Sequence, residues 1–282
     1  MNVHEVTSPA ARAPAADAQR VRAIRQGRHF LRSAGRRTLV PALLVASWQV
    51  LASTGAIDAR LFSSPLLTAT ALWDLTVDGT LLDNVLISIQ RAALGLFFGV
   101  STALVLGAVA GLWTIGEEIV DSTIQMARTV PVFALTTVFV VWFGFGEAPK
   151  VLIIAVACFF PVYINVFAGI RNVDRRLMEM AGAMGKTQLQ IIWHVLLPGA
   201  MPQALVGLRF SLSISVLALV VAETINAKSG LGYLMTTAQQ YVDTDVIFSC
   251  VIVYCLLGIG VDVLVRLLEK RVLAWRAGFE GQ

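Results

Sequence analysis

Residues Glu179–Pro198 read EMAGAMGKTQLQIIWHVLLP, and within them Gly185-Lys186-Thr187 has the ending of a phosphate-binding loop. Such a loop needs a glycine five residues before Gly185 and a buried strand ahead of it, so that its backbone N–H groups converge on the phosphates. Position 180 is Met180, and Arg171-Asn172-Val173-Asp174-Arg175-Arg176 upstream is a charged run with no strand pattern. The tripeptide is therefore not read as a nucleotide site. The same residues fit two short helices. Asp174 is placed as the N-cap of a helix running to Met184, with Gly185 as the residue that ends it. Thr187 with Gln190 reads as a capping box for a second helix, which Pro198 is expected to stop.

The surrounding chain explains what such a pair would be attached to. Of 282 residues, 57% are hydrophobic and 14% charged, against about 25% charged in a soluble domain. With a mean hydropathy of +0.75, the chain must face a second solvent, and the bilayer is that solvent. The net charge of +4 is spread through the gaps between apolar runs instead of clustering on a polar domain, so no nucleic-acid partner is expected. Cys158, Cys250 and Cys255 all lie in apolar stretches, with no paired spacing that suggests zinc or redox chemistry. His4, His29 and His194 are scattered and give no ligand spacing. No metal or catalytic residue is assigned.

A helix needs ~20 apolar residues to cross ~30 Å of hydrocarbon. Six stretches qualify: 38–53, 92–113, 124–143 with Pro131 inside, 151–170 with Pro161 inside, 204–225 and 246–268. The expected fold is an all-α polytopic membrane bundle. Arginine is dense in the leader (residues 1–37), and Arg171, Arg175, Arg176 and Lys186 follow the fourth span. Arg266, Lys270, Arg271 and Arg276 close the chain, while the alternate segments hold little positive charge. The positive-inside rule then puts both termini and the 171–198 segment in the cytoplasm. The membrane domain is taken as 38–275, with a short tail at 276–282. The leader is read as partly disordered, a topology signal or an anionic-lipid contact. Outside, Leu66, Leu67, Ala71 and Leu75 suggest an amphipathic helix. Gly230 and Gly232 suit a turn that dips and returns, with a short helix from Tyr233.

Within the second span, Gly95, Gly99, Ala103, Gly107 and Gly111 recur every four residues, a spacing that lets two helix backbones approach closely. The neighbour is in the same subunit or another. Pro131 and Pro161 each remove a helix hydrogen bond, giving bends that fit the bundle or points that flex. Among polar residues in the spans, Asn165 and Glu223 are candidates for the transport path. Glu223 lines a gate or reaches outer water. Asp262 with Arg266 reads as a structural i,i+4 pair. The chain of buried carboxylates that a proton-coupled carrier would use is absent from the spans.

The short helix pair now has an address, the largest cytoplasmic loop, and shows small and sulfur-bearing side chains (Met178, Met180, Ala181, Ala183, Met184) suited to a partner's groove. Glu179-x-Ala181-x-x-x-Gly185 followed by Val195-Leu196-Leu197-Pro198 resembles the EAA loop of ATP-binding-cassette (ABC) importer permeases, E-A-A-x3-G-x9-I-x-L-P, with Met180 and Val195 as departures. Pro131, Trp142-Phe143-Gly144-x-Gly146-Glu147-x-Pro149-Lys150, Pro161 and Asn165 are similar to the nitrate/sulfonate/taurine/bicarbonate branch. So are LALVVAETINAKSGLGYLM and STGAIDARLFSSP, and the likeness covers about Ala46 to Trp275.

The resemblance implies a permease that pairs with a second copy around a central path. Two cytoplasmic ATPase subunits would receive Glu179, Met180, Ala181, Met184, Gly185, Lys186, Leu189 and Pro198. An external solute-binding protein would deliver a small anion. ATP and Mg would be bound by the ATPase subunits, with no cofactor in this chain and no enzyme activity of its own. The competing readings are a self-contained secondary carrier, which would need an intramembrane ion site, and a membrane enzyme, which would need a catalytic cluster at one interface.

Overall fold

The computed structural model describes residues 39–55, 61–225 and 227–272. The leader and tail assignments lie outside those residues. The described chain is helical, and four helices are long and apolar enough to cross a membrane. The chain divides into two units at Leu66. In the first, α1 (Leu39–Ser53) is apolar but shorter than a full span. Its Trp48 indole donates to Ser63 O (2.9 Å) and its Gln49 side chain accepts from the Leu66 N–H (3.2 Å).

The second unit begins inside α2 (Pro65–Val77). Here Leu66 and Leu67 are exposed, and the inward face is Thr68, Ala71, Leu72 and Leu75. The Thr68 carbonyl accepts from Ser249 Oγ on this face, which lies about one position round from the face expected. Next come α3 (Thr80–Leu112), α4 (Thr114–Ala127) and α5 (Val132–Phe143). They are followed by α6 (Glu147–Arg171), α7 (Arg175–Ala183), α8 (Gln188–Thr224), α9 (Leu231–Gln240) and α10 (Thr244–Val272).

Helix α6 is the central post, and both buried apolar clusters share it. Toward its Glu147 end, Ile153, Ile154, Ala157 and Cys158 meet Ala218, Leu219, Ala222, Leu231, Val253 and Tyr254. Toward its Arg171 end, Val162, Tyr163, Val166 and Ile170 meet Ala103, Ala110, Ile124 and Ala200. The small-residue stripe of α3 lies on this post. A Cβ added to Gly95 would meet Ile154, one on Gly99 the Ala155 carbonyl, one on Gly107 Val166 and one on Gly111 Ile170. Both sets of numbers rise together, so α3 and α6 run parallel. Helix α8 runs the other way, with Gly169 against Ala200 and Gly207 against Asn165 and the Pro161 carbonyl. Ser211 Oγ donates to the Cys158 carbonyl (2.6 Å), a clasp between α6 and α8.

Of the expectations about proline, the bend at Pro131 is found and the stop at Pro198 is corrected. The third span is not one helix: α4 and α5 meet at a 75° bend, with Pro131 at the break. Val130, preceding a proline, is pushed out of helical geometry, and Pro131 itself is extended (φ −61°, ψ 117°). Helix α6, by contrast, runs without a break through Pro161. Pro198 does not stop the second loop helix, because that helix and the fifth span are one element, α8. A π-type turn at Ile192–Leu196 lies directly before Pro198 and widens the backbone where the ring would otherwise meet the His194 carbonyl. Six spans were expected. The described residues hold four, the bent pair as a fifth, and the short α1.

Candidate functional site

The first candidate region is the turn between α6 and α8. The Asp174 side chain accepts from the Arg176 N–H (2.9 Å) and starts α7. At the other end Gly185 has φ +77°. The Lys186 N–H reaches Ala181 O (3.1 Å) and the Gly185 N–H reaches Gly182 O (2.9 Å), the paired bonds of a Schellman ending. Thr187 and Gln190 then cap each other reciprocally. These devices hold α7 at a set angle to α8 while leaving its outer side bare. Met180, Met184, Lys186 and Leu189 are exposed, as are Leu177 and Trp193. Met178 and Ala181 are half-buried, as is Pro198, which sits in α8 away from the turn. Glu179 is exposed and pairs with Arg175 one turn earlier (3.2 Å).

The second region is at the Glu147 end of α6, and it contradicts one reading of Glu223. That side chain does not reach water; it is wholly buried. Its carboxylate accepts from Ser88 Oγ (2.7 Å), Arg91 Nη1 (2.7 Å), the Gly232 N–H (2.9 Å) and the Tyr254 hydroxyl (3.3 Å). Arg91 also donates to Ser229 O (2.7 Å) and to Glu147 Oε1 (2.8 Å), and Lys150 Nζ reaches the same Glu147 oxygen (3.1 Å). The start of α9 is fed from the same cluster. Asn84 Oδ1 accepts from the Gly230 N–H (2.7 Å) and Ser88 Oγ from the Leu231 N–H (2.9 Å). Three successive N–H groups that a helix start leaves unpaired are thus satisfied by α3 and α8. The glycines are required by this closeness. A Cβ on Gly230 would lie 2.5 Å from Arg91 Nη1, and one on Gly232 would overlap Glu223.

Sequence reasoning passed over Asn84, Ser88 and Arg91. Their spacing of four and three residues was the available signal, since it puts all three on one helix face. Asn165 lies elsewhere. It is half-buried, donates to Pro161 O (2.8 Å) and accepts from Gln203 Nε2 (2.9 Å), so it ties α6 to α8. Pro131 is exposed at the bend. Asp262 and Arg266 pair within α10 at 2.9 Å. No group of acidic, histidine or cysteine residues able to hold a metal occurs among the described residues.

Comparison with known proteins shows the family to which this helical bundle belongs. Residues 95–274 match the family described as "Binding-protein-dependent transport system inner membrane component". The chain belongs to that family and is a multi-pass inner-membrane permease of the ABC importer class. The chain is 42% identical over 243 residues to SsuC of Bacillus subtilis (strain 168), assigned to aliphatic sulfonates transport, covering 86% of this chain and 88% of that protein. The taurine transport system permease protein TauC of Escherichia coli (strain K12) is 34% identical over 199 residues, 71% of this chain and 72% of its own. Among solved structures, an inward-facing conformation of the MetNI methionine ABC transporter superposes with a TM-score of 0.53 at 21% identity. It covers 64% of this chain and 92% of that one, a likeness of fold.

Proposed function

We propose that this chain forms the translocation path of an ATP-driven importer for a small sulfonate-type anion, with both termini in the cytoplasm. The observation that carries the reading is the 42% identity to SsuC along 86% of the chain. Two copies enclose the path, and an external solute-binding protein delivers the solute. Two cytoplasmic ATPase subunits, which hold ATP and Mg, grip the turn from Glu179 to Leu189. The exposed Met180, Met184 and Leu189 support that contact: they are adaptable apolar side chains on either side of a turn whose angle is set at Gly185. A short helix so held carries a domain closure into the bundle as a rigid lever.

The test is co-purification. The tagged chain is extracted in mild detergent together with the products of its neighbouring genes and assayed for bound ATPase. The ATPase is expected to follow the wild type and to be lost from a Glu179→Ala/Gly185→Val double variant. Purification of the chain alone, with uptake driven by an ion gradient, would overturn the reading in favour of a secondary carrier.

A further inference from the structure

The break between α4 and α5 carries a cation that the transport reading above has not used. Arg128 follows the last residue of α4, its N–H still bonded to the Ile124 carbonyl (2.9 Å). Its level in the bundle is set by what α4 touches. Near the start of α4, Glu117 pairs with Arg171 at the end of α6. One turn on, Asp121 accepts from the Tyr163 hydroxyl (3.0 Å), and Ile124 is buried with Val162, Tyr163 and Val166. Arg128 is a further turn along, which brings it to the middle of the α6 span. Beyond the break, Thr136 and Val140 of α5 lie beside Lys150 and Ile153, toward the other end of α6. Arg128 is therefore close to mid-membrane, not at a rim.

No carboxylate meets it among the described residues. Arg91 faces Glu147 and Glu223, Lys150 faces Glu147, and Arg209 faces Asp262 and Glu269. The Arg128 side chain has no such partner and is exposed, as are Thr129, Val130 and Pro131 after it. A bare guanidinium against lipid is strongly disfavoured, and irregular backbone at membrane depth persists only where it is buried in protein or lines a watery cavity. Both conditions hold if this face borders the path. Met126, Val130 and Phe133 are exposed around it and offer apolar surface.

We infer that the Arg128 guanidinium receives the oxyanion head of the solute in transit, while Met126, Val130 and Phe133 face its carbon chain. The planar fork of N–H groups suits two oxygens of a sulfonate at once, which an ammonium does not. The inference rests on the proposed sulfonate-type solute.

The experiment uses the whole importer, with its ATPase and solute-binding partners, in liposomes, and follows uptake of ethanesulfonate by wild type, Arg128→Lys and Arg128→Gln. Loss of one charge-assisted contact should lower uptake by Arg128→Gln about tenfold or more, with subunit content and basal ATPase rate unchanged. Arg128→Lys should retain an intermediate rate. Wild-type uptake by Arg128→Gln overturns the inference and leaves the transport reading standing. Loss of assembly in both variants also overturns it, because Arg128 would then be pairing with the second copy. Failure of the wild type to import ethanesulfonate removes the proposed solute class, and the inference with it.

Discussion

Glu223 has no access to solvent, and every hydrogen-bond partner given for it above comes from another element. Removing it would take from the buried Arg91 its one buried carboxylate, leaving it the exposed Glu147. Breaking a buried pair from one side costs about 3–5 kcal/mol, so Glu223→Ala should lower the melting midpoint of the purified permease sharply. Two glycines make a finer comparison. Gly230 has φ +104° and a neighbour within 2.5 Å, whereas Gly144 has φ +73° and nothing within 4 Å of an added Cβ. Gly144→Ala should cost only the backbone strain of a conformation (φ +73°, ψ −175°) that is nearly reserved to glycine, about 1–3 kcal/mol. Gly230→Ala should cost clearly more, because Arg91 and Glu223 cannot both move aside. Equal melting midpoints for the two alanine variants would show that the cluster around Gly230 is looser than its geometry.

The contact between α3 and α6 is built from residues whose replacement should not be uniform. At Gly99 the obstruction is the Ala155 backbone, which has nowhere to go. At Gly107 the nearest atoms are Val166 Cβ and Cγ1 at 3.1 Å and the Tyr163 carbonyl at 3.2 Å, contacts that a shift of a few tenths of an ångström relieves. Alanine gains about 1 kcal/mol over glycine in a helix, and overpacking a tight contact costs about 1–3 kcal/mol. Gly107→Ala is therefore expected to be near neutral and Gly99→Ala destabilising, as read from thermal aggregation of the detergent-solubilised protein. The same stripe shows what was legible in advance. Spacing of small residues, N-caps at Asp174 and Thr187, and the glycine ending at Gly185 are local signals, and local signals survive into the fold. Proline was ambiguous because its effect depends on what the neighbouring turn does. A π-type turn absorbs Pro198, α6 absorbs Pro161, and only at Pro131 does the chain turn away. Arg91 and Arg128 were passed over for a different reason: the meaning of a cation in a span depends on whether a carboxylate from a distant segment faces it.

The whole permease is expected to transmit force through one exposed turn. Gly185 has φ +77° and open space around it, so a larger residue there would disturb the angle between α7 and α8 without a clash. Gly185→Val should insert and assemble normally yet lose stimulation of the ATPase by solute-loaded binding protein, and uptake should fall in parallel. Uptake at the wild-type rate would show that the angle does not matter to coupling. Membership of the family was legible in the spacing from Glu179 through Gly185 to Pro198, whereas the cluster joining α3, α6, α8, α9 and α10 had no comparable motif to announce it.

That cluster also constrains the order in which the chain can be made. Arg91 leaves the ribosome well before either of its carboxylates. Glu147 is synthesised 56 residues later and Glu223 132 residues later. During insertion, then, Glu147 is the first counter-charge to arrive. Glu223 completes the pairing only when α8 follows, and the backbone N–H groups of residues 230–232 come last, finding their acceptors already assembled. Until then the exposed carboxylate of Glu147, which in the finished protein pairs with both Arg91 and Lys150, is the one member of the cluster that can face the arginine.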